Sequence, residues 1–293
     1  MNFQIETTSF CNLTCPECPN WTMERERKTM TTEVFEKILH SYVIPFKNRN
    51  RNAGHNPTVI MHKDGEPLLN KRLPDFLRSI AAADPDLRVD IYSHGLLLKR
   101  DFIDFLGTLP NKMRLLVSFH FFNHDGSQND YTATTALLMD LFNGPRQKQP
   151  SNVEFILASH LVRPMTADKL NAWKQTWEGP ISARRVTVHA NTSINPWTGL
   201  IEEPGCTSFD ACPYGDFGHM FFGATGNVIA CCLDLEEEIV FGNVMDAVPM
   251  DMIQALNEFY SRVSRKDLQH QVCRYCLGVE KRPVAIASAG VQV

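Results

Sequence analysis

Three cysteines near the start of the chain have the type and spacing of metal ligands. Cys11, Cys15 and Cys18 lie in the run Cys-Asn-Leu-Thr-Cys-Pro-Glu-Cys, so one short loop carries all three thiols. Iron–sulfur cubanes normally take four thiolates, and structural zinc takes four protein ligands. A loop with three thiolates therefore leaves one coordination position open to an external ligand. A zinc knuckle or a group of reduced thiols is the alternative interpretation.

The cysteine spacing, three residues and then two, resembles the signature of the radical S-adenosylmethionine (SAM) enzymes. The context is similar as well, because Ile5-Glu6-Thr7-Thr8 is a candidate strand that leads into the loop, and Gly65-Glu66-Pro67 follows a second apolar strand. The resemblance implies that the three cysteines bind a 4Fe–4S cluster, whose open iron is chelated by the amino and carboxylate groups of SAM.

The resemblance also implies which residues contact SAM. Gly65 and Glu66 correspond to the segment that binds the SAM amino group, with Pro67 fixing the backbone. Ser93, in Ser93-His94-Gly95, is a candidate contact of the ribose or carboxylate, and Ser118 after the next strand is a further one. The sequence departs from the family at Glu17, where relatives carry an aromatic residue near the adenine. Backbone groups or Trp21 would then hold the adenine.

A second group of cysteines follows residue 200. Thr225-Gly226-Asn227 is the predicted turn of a hairpin that ends in Cys231, and Cys273-Arg274-Tyr275-Cys276 follows near the end of the chain. This pattern resembles the SPASM and twitch extensions of radical SAM enzymes, which hold an auxiliary 4Fe–4S cluster. The resemblance implies the shorter twitch type, with Cys212, Cys231, Cys273 and Cys276 as ligands. A structural zinc with the same thiolates is the alternative.

Several other residues have open assignments. Cys232 adjoins Cys231, so either of the two is the cluster ligand; as a free thiol, Cys232 is a candidate hydrogen-atom donor, or else a small buried side chain. Cys206 lies in a Gly-Pro loop and has no assigned role. His120 and His124 flank a Phe-Phe-Asn stretch and either line the substrate pocket or cap a surface loop.

Composition narrows the class of protein. The 293 residues are 43% hydrophobic and 21% charged, with a net charge of −4, which is typical of a globular protein with a large core. No basic stripe indicates a nucleic-acid partner, and no apolar run is long enough to span a membrane. The nine cysteines and the absence of a signal peptide predict a cytoplasmic protein with metal ligands rather than disulfides.

Alternating strand and helix patterns predict an α/β fold with a parallel sheet. Short apolar runs such as Val153-Glu154-Phe155-Ile156-Leu157 bring the expected strands to about six before residue 190. Leu73, Phe76, Leu77 and Ile80 show a helical period. Together with the resemblance, this predicts a partial (β/α)6 TIM-like barrel over 1–200 and a small α+β cluster-binding extension over 201–293. Sites in such barrels lie at the carboxyl ends of the strands.

The resemblance implies reductive cleavage of SAM, fed by a flavodoxin or ferredoxin, and removal of a hydrogen atom from a substrate. Oxidation of a small molecule, with the auxiliary cluster accepting the second electron, is the first hypothesis. No arginine lies in Asn191 to Gly199, where related dehydrogenases place a basic residue, although Arg184 and Arg185 lie upstream. Peptide crosslinking or epimerisation is the second hypothesis, and it is disfavoured because no peptide-binding region precedes Cys11. A non-enzymatic electron carrier or zinc adaptor is the third.

Overall fold

The structure is a computed structural model that describes residues 1–47, 57–145, 149–160, 165–181, 186–191, 201–202, 209–215, 218–281 and 286–287. The strands, numbered in chain order, are β1 (Asn2–Ile5), β2 (Thr58–Ile60), β3 (Arg88–Ser93), β4 (Met113–Phe119), β5 (Val153–His160), β6 (Val186–Asn191), β7 (Ile201–Glu202), β8 (His219–Phe222), β9 (Asn227–Ile229), β10 (Val240–Asn243) and β11 (Ile286–Ala287).

Six parallel strands, β1 to β6, form the central part of the sheet in the order of the chain. Consecutive residues are buried in β1, β2, β3 and β5, so both faces of these strands are covered, as parallel strands with crossover helices require. Strand β6, at the end of the sheet, has no buried residue. Among the described strands, β6 and β10 are the two ends of this sheet and do not pair with each other, so the barrel is open. The predicted fold class, a partial α/β barrel, is confirmed.

The helices, numbered in chain order, are α1 (Thr32–Ile38), α2 (Ile44–Phe46), α3 (Leu73–Ala83), α4 (Arg100–Thr108), α5 (Thr132–Asn143), α6 (Ala167–Ile181), α7 (Pro249–Ser264) and α8 (Gln271–Cys276). A π-helical turn, Leu39–Val43, joins α1 to α2. None of the described helices has the length and apolarity that crossing a membrane requires.

Helix α3 shows how the predicted periodicity becomes packing. Leu73, Phe76, Leu77 and Ile80 are all buried, as their spacing predicts. Pro74 lies in the first turn, where its missing N–H removes no helical hydrogen bond. The ring of Phe76 stacks on Phe35 of α1 with centroids 4.1 Å apart. The two helices therefore cover the same part of the sheet.

The C-terminal hairpin extends the barrel sheet. Strand β8 pairs in parallel with β1, from Asn2 opposite His219 to Ile5 opposite Phe222, and β9 and β10 follow in antiparallel order. Met220 and Phe222 are completely buried in the same core as the barrel residues. The division at residue 200 stays a prediction, but the hairpin beyond it shares its sheet and core with the first strand. The cluster-binding extension is thereby held against the barrel.

Candidate functional site

A cavity of about 270 Å³ opens at the carboxyl ends of β1 to β5, the edge at which the sequence places the site. The residues that line it come from the loops and last residues of these strands: Cys11, Leu13, Cys15, Glu17, Cys18, His62, Asp64, Gly65, Glu66, Tyr92, Ser93, His94, Leu116, Ser118, His120 and His160. The three N-terminal cysteines and four of the five predicted SAM contacts therefore share one cavity. Pro67, the fifth predicted contact, begins a short helical turn just beside it.

The three N-terminal thiols face one another. Burial raises the pKa of Cys15, and the nearby charges of Glu17, Cys18 and Cys11 raise it further. The pKa values of Cys11 and Cys18 are raised as well, chiefly by burial. Buried thiolates are costly without a cation, whereas a metal deprotonates a coordinating thiol outright. The donor set thus fits a metal or cluster, and the ligand roles of these cysteines stay a prediction.

The loop that carries these thiols is held by side-chain hydrogen bonds to its backbone. The Asn20 amide donates to the carbonyls of Ser9 and Asp64 at 3.1 and 2.9 Å. The Arg27 guanidinium donates to the Ser9 carbonyl at 3.0 Å and to Asn20 Oδ1 at 2.8 Å. Buried backbone acceptors in an irregular loop need such partners. These contacts within the protein therefore help to fix the shape of the loop that carries the three thiols.

Gly65 lies directly against the cysteine loop. A Cβ atom at this position would lie 2.2 Å from the Thr8 carbonyl oxygen and 2.6 Å from the Phe10 carbonyl oxygen. The next residue, Glu66, donates its backbone N–H to Phe10 at 2.9 Å. The Gly-Glu-Pro segment and the cysteine loop therefore pack backbone against backbone, and only glycine fits at the point of contact.

Replacing Gly65 with alanine is expected to separate these two backbones. Because the colliding atoms are carbonyl oxygens and cannot rotate away, overpacking should lower the free energy of unfolding by about 1–3 kcal/mol. The displaced loop should also bind less iron after anaerobic reconstitution. Urea titration and iron analysis of the variant measure the two effects. Unchanged stability together with unchanged iron content would contradict this account of Gly65.

Two backbone N–H groups orient the Glu66 carboxylate. Oε1 accepts from Leu68 at 2.9 Å, and Oε2 accepts from His94 at 2.8 Å. Burial nevertheless raises the pKa of Glu66 to about 7. A cation in the cavity would restore the ionised form, because opposite charge favours a carboxylate. Glu66 therefore has the orientation and the charge requirement of an ammonium-binding group.

His120 and His124 have different surroundings, although the same two alternatives were open for both from the sequence. His120 lines the cavity and shares a hydrogen bond with Glu17 Oε1. His124 stacks on Trp21 with ring centroids 4.1 Å apart and is absent from the cavity wall. Trp21 is absent from that wall as well, so the structure does not support its suggested contact with adenine.

The second group of cysteines converges on a smaller cavity. Cys212, Cys231, Cys273 and Cys276 all line it, and apart from two tyrosines the other lining residues are apolar. Helix α8 places Cys273 and Cys276 three residues apart, on one side of the helix. Burial first, and Cys212 next, raise the pKa of each of these two thiols to about 12. Four thiols in a dry pocket fit a closed cluster or zinc site.

Cys232 lies close to this second group of thiols, since its charge also raises the pKa of Cys231 and of Cys276. Its Sγ lies 2.8 Å from the Tyr214 hydroxyl. Burial raises its pKa to about 11, and the charges of Lys63 and Asp64 on the barrel side also act on it. Neither cavity has Cys232 among its lining residues. The geometry therefore favours Cys231 over Cys232 as the ligand, and the predicted hydrogen-donor role of Cys232 gains no support from its position.

Paired variants at these two adjacent positions test the assignment. Cys231→Ala should lose one cluster, about four irons per chain, because the second cavity then keeps only three thiols. Cys232→Ala should retain the full iron content, because Cys232 is not among the residues that line the second cavity. Iron and sulfide analysis after anaerobic reconstitution distinguishes the two variants. A loss of iron in Cys232→Ala alone would reverse the assignment.

Some sequence predictions fall outside the described residues. These are Cys206, Arg184, Arg185 and residues 192–200 of the loop that lacks an arginine.

Two residues of the candidate site are not evident as such from the sequence. Glu17 stands out there only as a departure from the family pattern, and His160 does not stand out at all, yet both line the larger cavity. The signal for His160 was its position at the end of an apolar strand. Lys63 and Asp64 likewise follow an apolar strand, and both are buried between the two cysteine groups.

Comparisons with known proteins agree with this geometry. Residues 212–277 match the SPASM domain, an iron–sulfur cluster-binding domain. This match covers the second cavity and all four of its cysteines. No curated protein is similar enough in sequence to this chain to count as a match.

Solved structures share the fold at low sequence identity. The crystal structure of BtrN in complex with AdoMet and 2-DOIA has a TM-score of 0.64 and 18% identity, covering 93% of this chain and 91% of BtrN. Native anSMEcpe with bound AdoMet has a TM-score of 0.60 and 15% identity, and the match covers 98% of this chain and 93% of anSMEcpe. SuiB of Streptococcus suis, bound to the precursor peptide SuiA, has a TM-score of 0.61 and 11% identity, covering 89% and 66%.

These comparisons establish the fold of the chain and the type of its C-terminal region. The chain has the fold of the radical SAM enzymes, with an iron–sulfur SPASM-type region at its C-terminal end. The resemblance predicted from the sequence is confirmed.

Proposed function

We propose that this protein is a radical SAM enzyme that cleaves SAM reductively and removes a hydrogen atom from a substrate. The observation that carries the proposal is the convergence of Cys11, Cys15 and Cys18 with Glu66 and Ser93 in one cavity. A 4Fe–4S cluster with an open iron, together with SAM, supplies the one-electron chemistry when bound. A flavodoxin or ferredoxin would supply the electron. The seven thiols assigned to the two clusters suit a cytoplasmic, low-oxygen setting, because oxygen would oxidise both the thiols and the clusters.

The residues of the chain have separable tasks in this proposal. Three thiolates hold a cluster and leave one iron for SAM. The Glu66 carboxylate, fixed by Leu68 and His94, binds the ammonium group of SAM. Ser93 forms a hydrogen bond with the ribose or the carboxylate of SAM, and Ser118 lines the same wall of the cavity. Burial of these groups excludes water, which would otherwise quench a reactive intermediate.

We propose oxidation of a small molecule as the reaction. The second cavity, with four thiols, suits a closed cluster that transfers electrons and leaves no position for substrate. Such a cluster would accept the second electron of a two-electron oxidation. BtrN supports this choice, because its structure holds AdoMet together with 2-DOIA and its fold covers nearly all of this chain.

Modification of a peptide, by crosslinking or epimerisation, is the alternative function. It is favoured by the fold similarity to SuiB, which binds the precursor peptide SuiA, and to anSMEcpe, which has been solved with bound peptides. The similarity to SuiB covers only 66% of that protein. For this reason we rank it below small-molecule oxidation.

The proposal is tested with anaerobically reconstituted protein, SAM and dithionite. We expect 5′-deoxyadenosine to be released, and more of it to be released when the correct substrate is present. Absence of 5′-deoxyadenosine from protein whose clusters are intact would overturn the proposal. With a deuterated substrate, an oxidation should move the label into 5′-deoxyadenosine and yield a product two hydrogens lighter. An epimerisation would not have this combination, because its product keeps the mass of the substrate. A crosslink also removes two hydrogens, and it is recognised instead by a new bond between two residues of a peptide.

A further inference from the structure

We propose that Glu17, His120 and His160 form a binding site for a divalent first-row metal ion on the wall of the larger cavity, with ligands distinct from both groups of cysteines. The inference goes beyond the proposed function, since it concerns a third inorganic group and does not depend on SAM cleavage.

The topology brings the three side chains together. His160 is the last residue of β5 and His120 follows the end of β4, and these two strands are parallel neighbours in the sheet. Glu17 reaches them from the cysteine loop, where the family has an aromatic residue. One ligand atom from each residue lies within 4.8 Å of the others. A metal ion holds such atoms about 3–4 Å apart, so small side-chain rotations close the site.

Two polar atoms at this site are buried without a partner. Glu17 is only 7% exposed, and its Oε2 has no hydrogen bond, although Oε1 bonds with His120. The Nδ1 atom of His160 is likewise buried and has no hydrogen bond. An unsatisfied buried polar atom costs about 1–3 kcal/mol, and more when it is charged. A cation between these two atoms would satisfy both.

The second nitrogen of His160 is already oriented. Its Nε2 lies 3.1 Å from the side-chain amide of Asn191, at the end of β6. The Asn191 atom at this distance is the amide nitrogen, which donates to Nε2 and leaves the ring proton on Nδ1. Metal-bound histidines commonly donate their other ring N–H to an oxygen, which fixes the ring and the tautomer. A rotation of the Asn191 amide by about 180° would present its oxygen to Nε2 and free the Nδ1 lone pair for a metal ion. The two imidazole rings lie nearly parallel, with centroids 5.8 Å apart.

The donor set indicates the class of metal. Two imidazoles and one carboxylate suit Mn²⁺, Fe²⁺, Co²⁺ or Zn²⁺, whereas Mg²⁺ and Ca²⁺ prefer oxygen ligands. The negative charge of the Glu17 carboxylate also disfavours an anion as the ligand. Three protein ligands leave coordination positions that face the cavity. A substrate oxygen or nitrogen could occupy them, which would place the substrate beside the SAM contacts.

Mn²⁺ is the probe that tests this site, because its preference for hard ligands keeps it away from thiolates. Protein carrying its iron–sulfur clusters is freed of other metals with a chelator, and free Mn²⁺ is followed by EPR during a titration. We expect one Mn²⁺ per chain, with affinity reduced about tenfold or more in Glu17→Gln and in His160→Gln. His62→Gln, which alters a histidine of the same cavity outside the proposed site, should retain the affinity of the parent protein.

Failure of the parent protein to bind Mn²⁺, or unchanged binding in both Glu17→Gln and His160→Gln, would overturn the inference. Cluster absorbance and far-ultraviolet circular dichroism show whether each variant is folded and loaded. Because Glu17 lies between two cysteines, His160→Gln is the variant that leaves the cysteine loop untouched. Release of 5′-deoxyadenosine is measured on the same chelator-treated samples, which still carry their iron–sulfur clusters. If 5′-deoxyadenosine is still released but no Mn²⁺ binds, the proposed metal site is wrong and the proposed function is unaffected.

Discussion

Replacing Cys15 with alanine is expected to abolish release of 5′-deoxyadenosine and to lower bound iron from about eight to about four atoms per chain. Cys15 is 6% exposed and has both other thiols of the loop as electrostatic neighbours, so no water or side chain at the surface can take its place. Without it, two thiols remain for a cluster that needs three. The auxiliary cluster, held by other cysteines, should remain.

Cys273→Ala is the matched control, because it also removes one cluster and about four irons. In this variant, added SAM should still change the EPR signal of the remaining reduced cluster, because the open iron near Glu66 is intact. Cys15→Ala should show no such perturbation. Full iron content in Cys15→Ala, or a SAM-dependent signal from it, would contradict the assignment of the N-terminal loop.

Local patterns in the sequence were sufficient for much of this structure. The spacing of Cys11, Cys15 and Cys18 lies within one loop, and the apolar period of Leu73 to Ile80 lies within one helix. In both cases the residues that interact are close in the chain, so their pattern is visible without knowledge of the fold. The six parallel strands followed from the same kind of local signal, with the strand order supplied by the rule for crossover connections.

Contacts between distant residues could not be predicted in this way. The pairing of β1 with β8 joins Asn2 to His219, whose side chains meet 3.1 Å apart across 217 positions of sequence. Glu17 and His120 are likewise far apart in the chain. A single charged residue in a loop is usually solvated, so its type alone does not reveal a buried partner.

A buried network of charged residues around Arg25 could not be predicted from the sequence. The Arg25 guanidinium lies 2.7 Å from Glu6, 2.9 Å from Asp64 and 3.2 Å from Glu237. Its Nε also donates to the Leu235 carbonyl at 2.6 Å. Lys63, completely buried, pairs with Asp64 and donates to the Asp234 carbonyl at 2.9 Å. Arg25 therefore joins the segment after the cysteine loop to the segment that follows Cys231 and Cys232.

Charge balance in this network depends on Arg25. Burial raises the pKa of Asp64 to about 7, although Lys63 and Arg25 act in the opposite direction. The pKa of Glu6 is lowered: burial, the largest influence, acts to raise it, and Lys63 and Arg25 together outweigh that effect. Without Arg25, three buried carboxylates would share the single positive charge of Lys63. Each would then have to be protonated or remain poorly compensated, and both outcomes oppose folding.

Arg25→Met is therefore expected to lower the free energy of unfolding by about 3–5 kcal/mol, the usual cost of removing one partner from a buried ion pair. Anaerobic urea titration of the cluster-loaded protein measures it. Arg78→Met is the matched control, since Arg78 is 59% exposed and pairs with the exposed Asp75, and it should cost less than about 1 kcal/mol.

A double variant distinguishes the loss of charge from the effect of poor packing at position 25. Adding Glu237→Gln to Arg25→Met removes one of the uncompensated carboxylates while keeping its volume, so part of the lost stability should return. If methionine at position 25 were harmful only because it packs badly, the added substitution would give no recovery. If Arg25→Met cost no more than Arg78→Met, the guanidinium would not be the group that compensates these carboxylates. The pairing of β1 with β8 and the apolar core beneath it would then be the contacts that hold the two cysteine-bearing segments together.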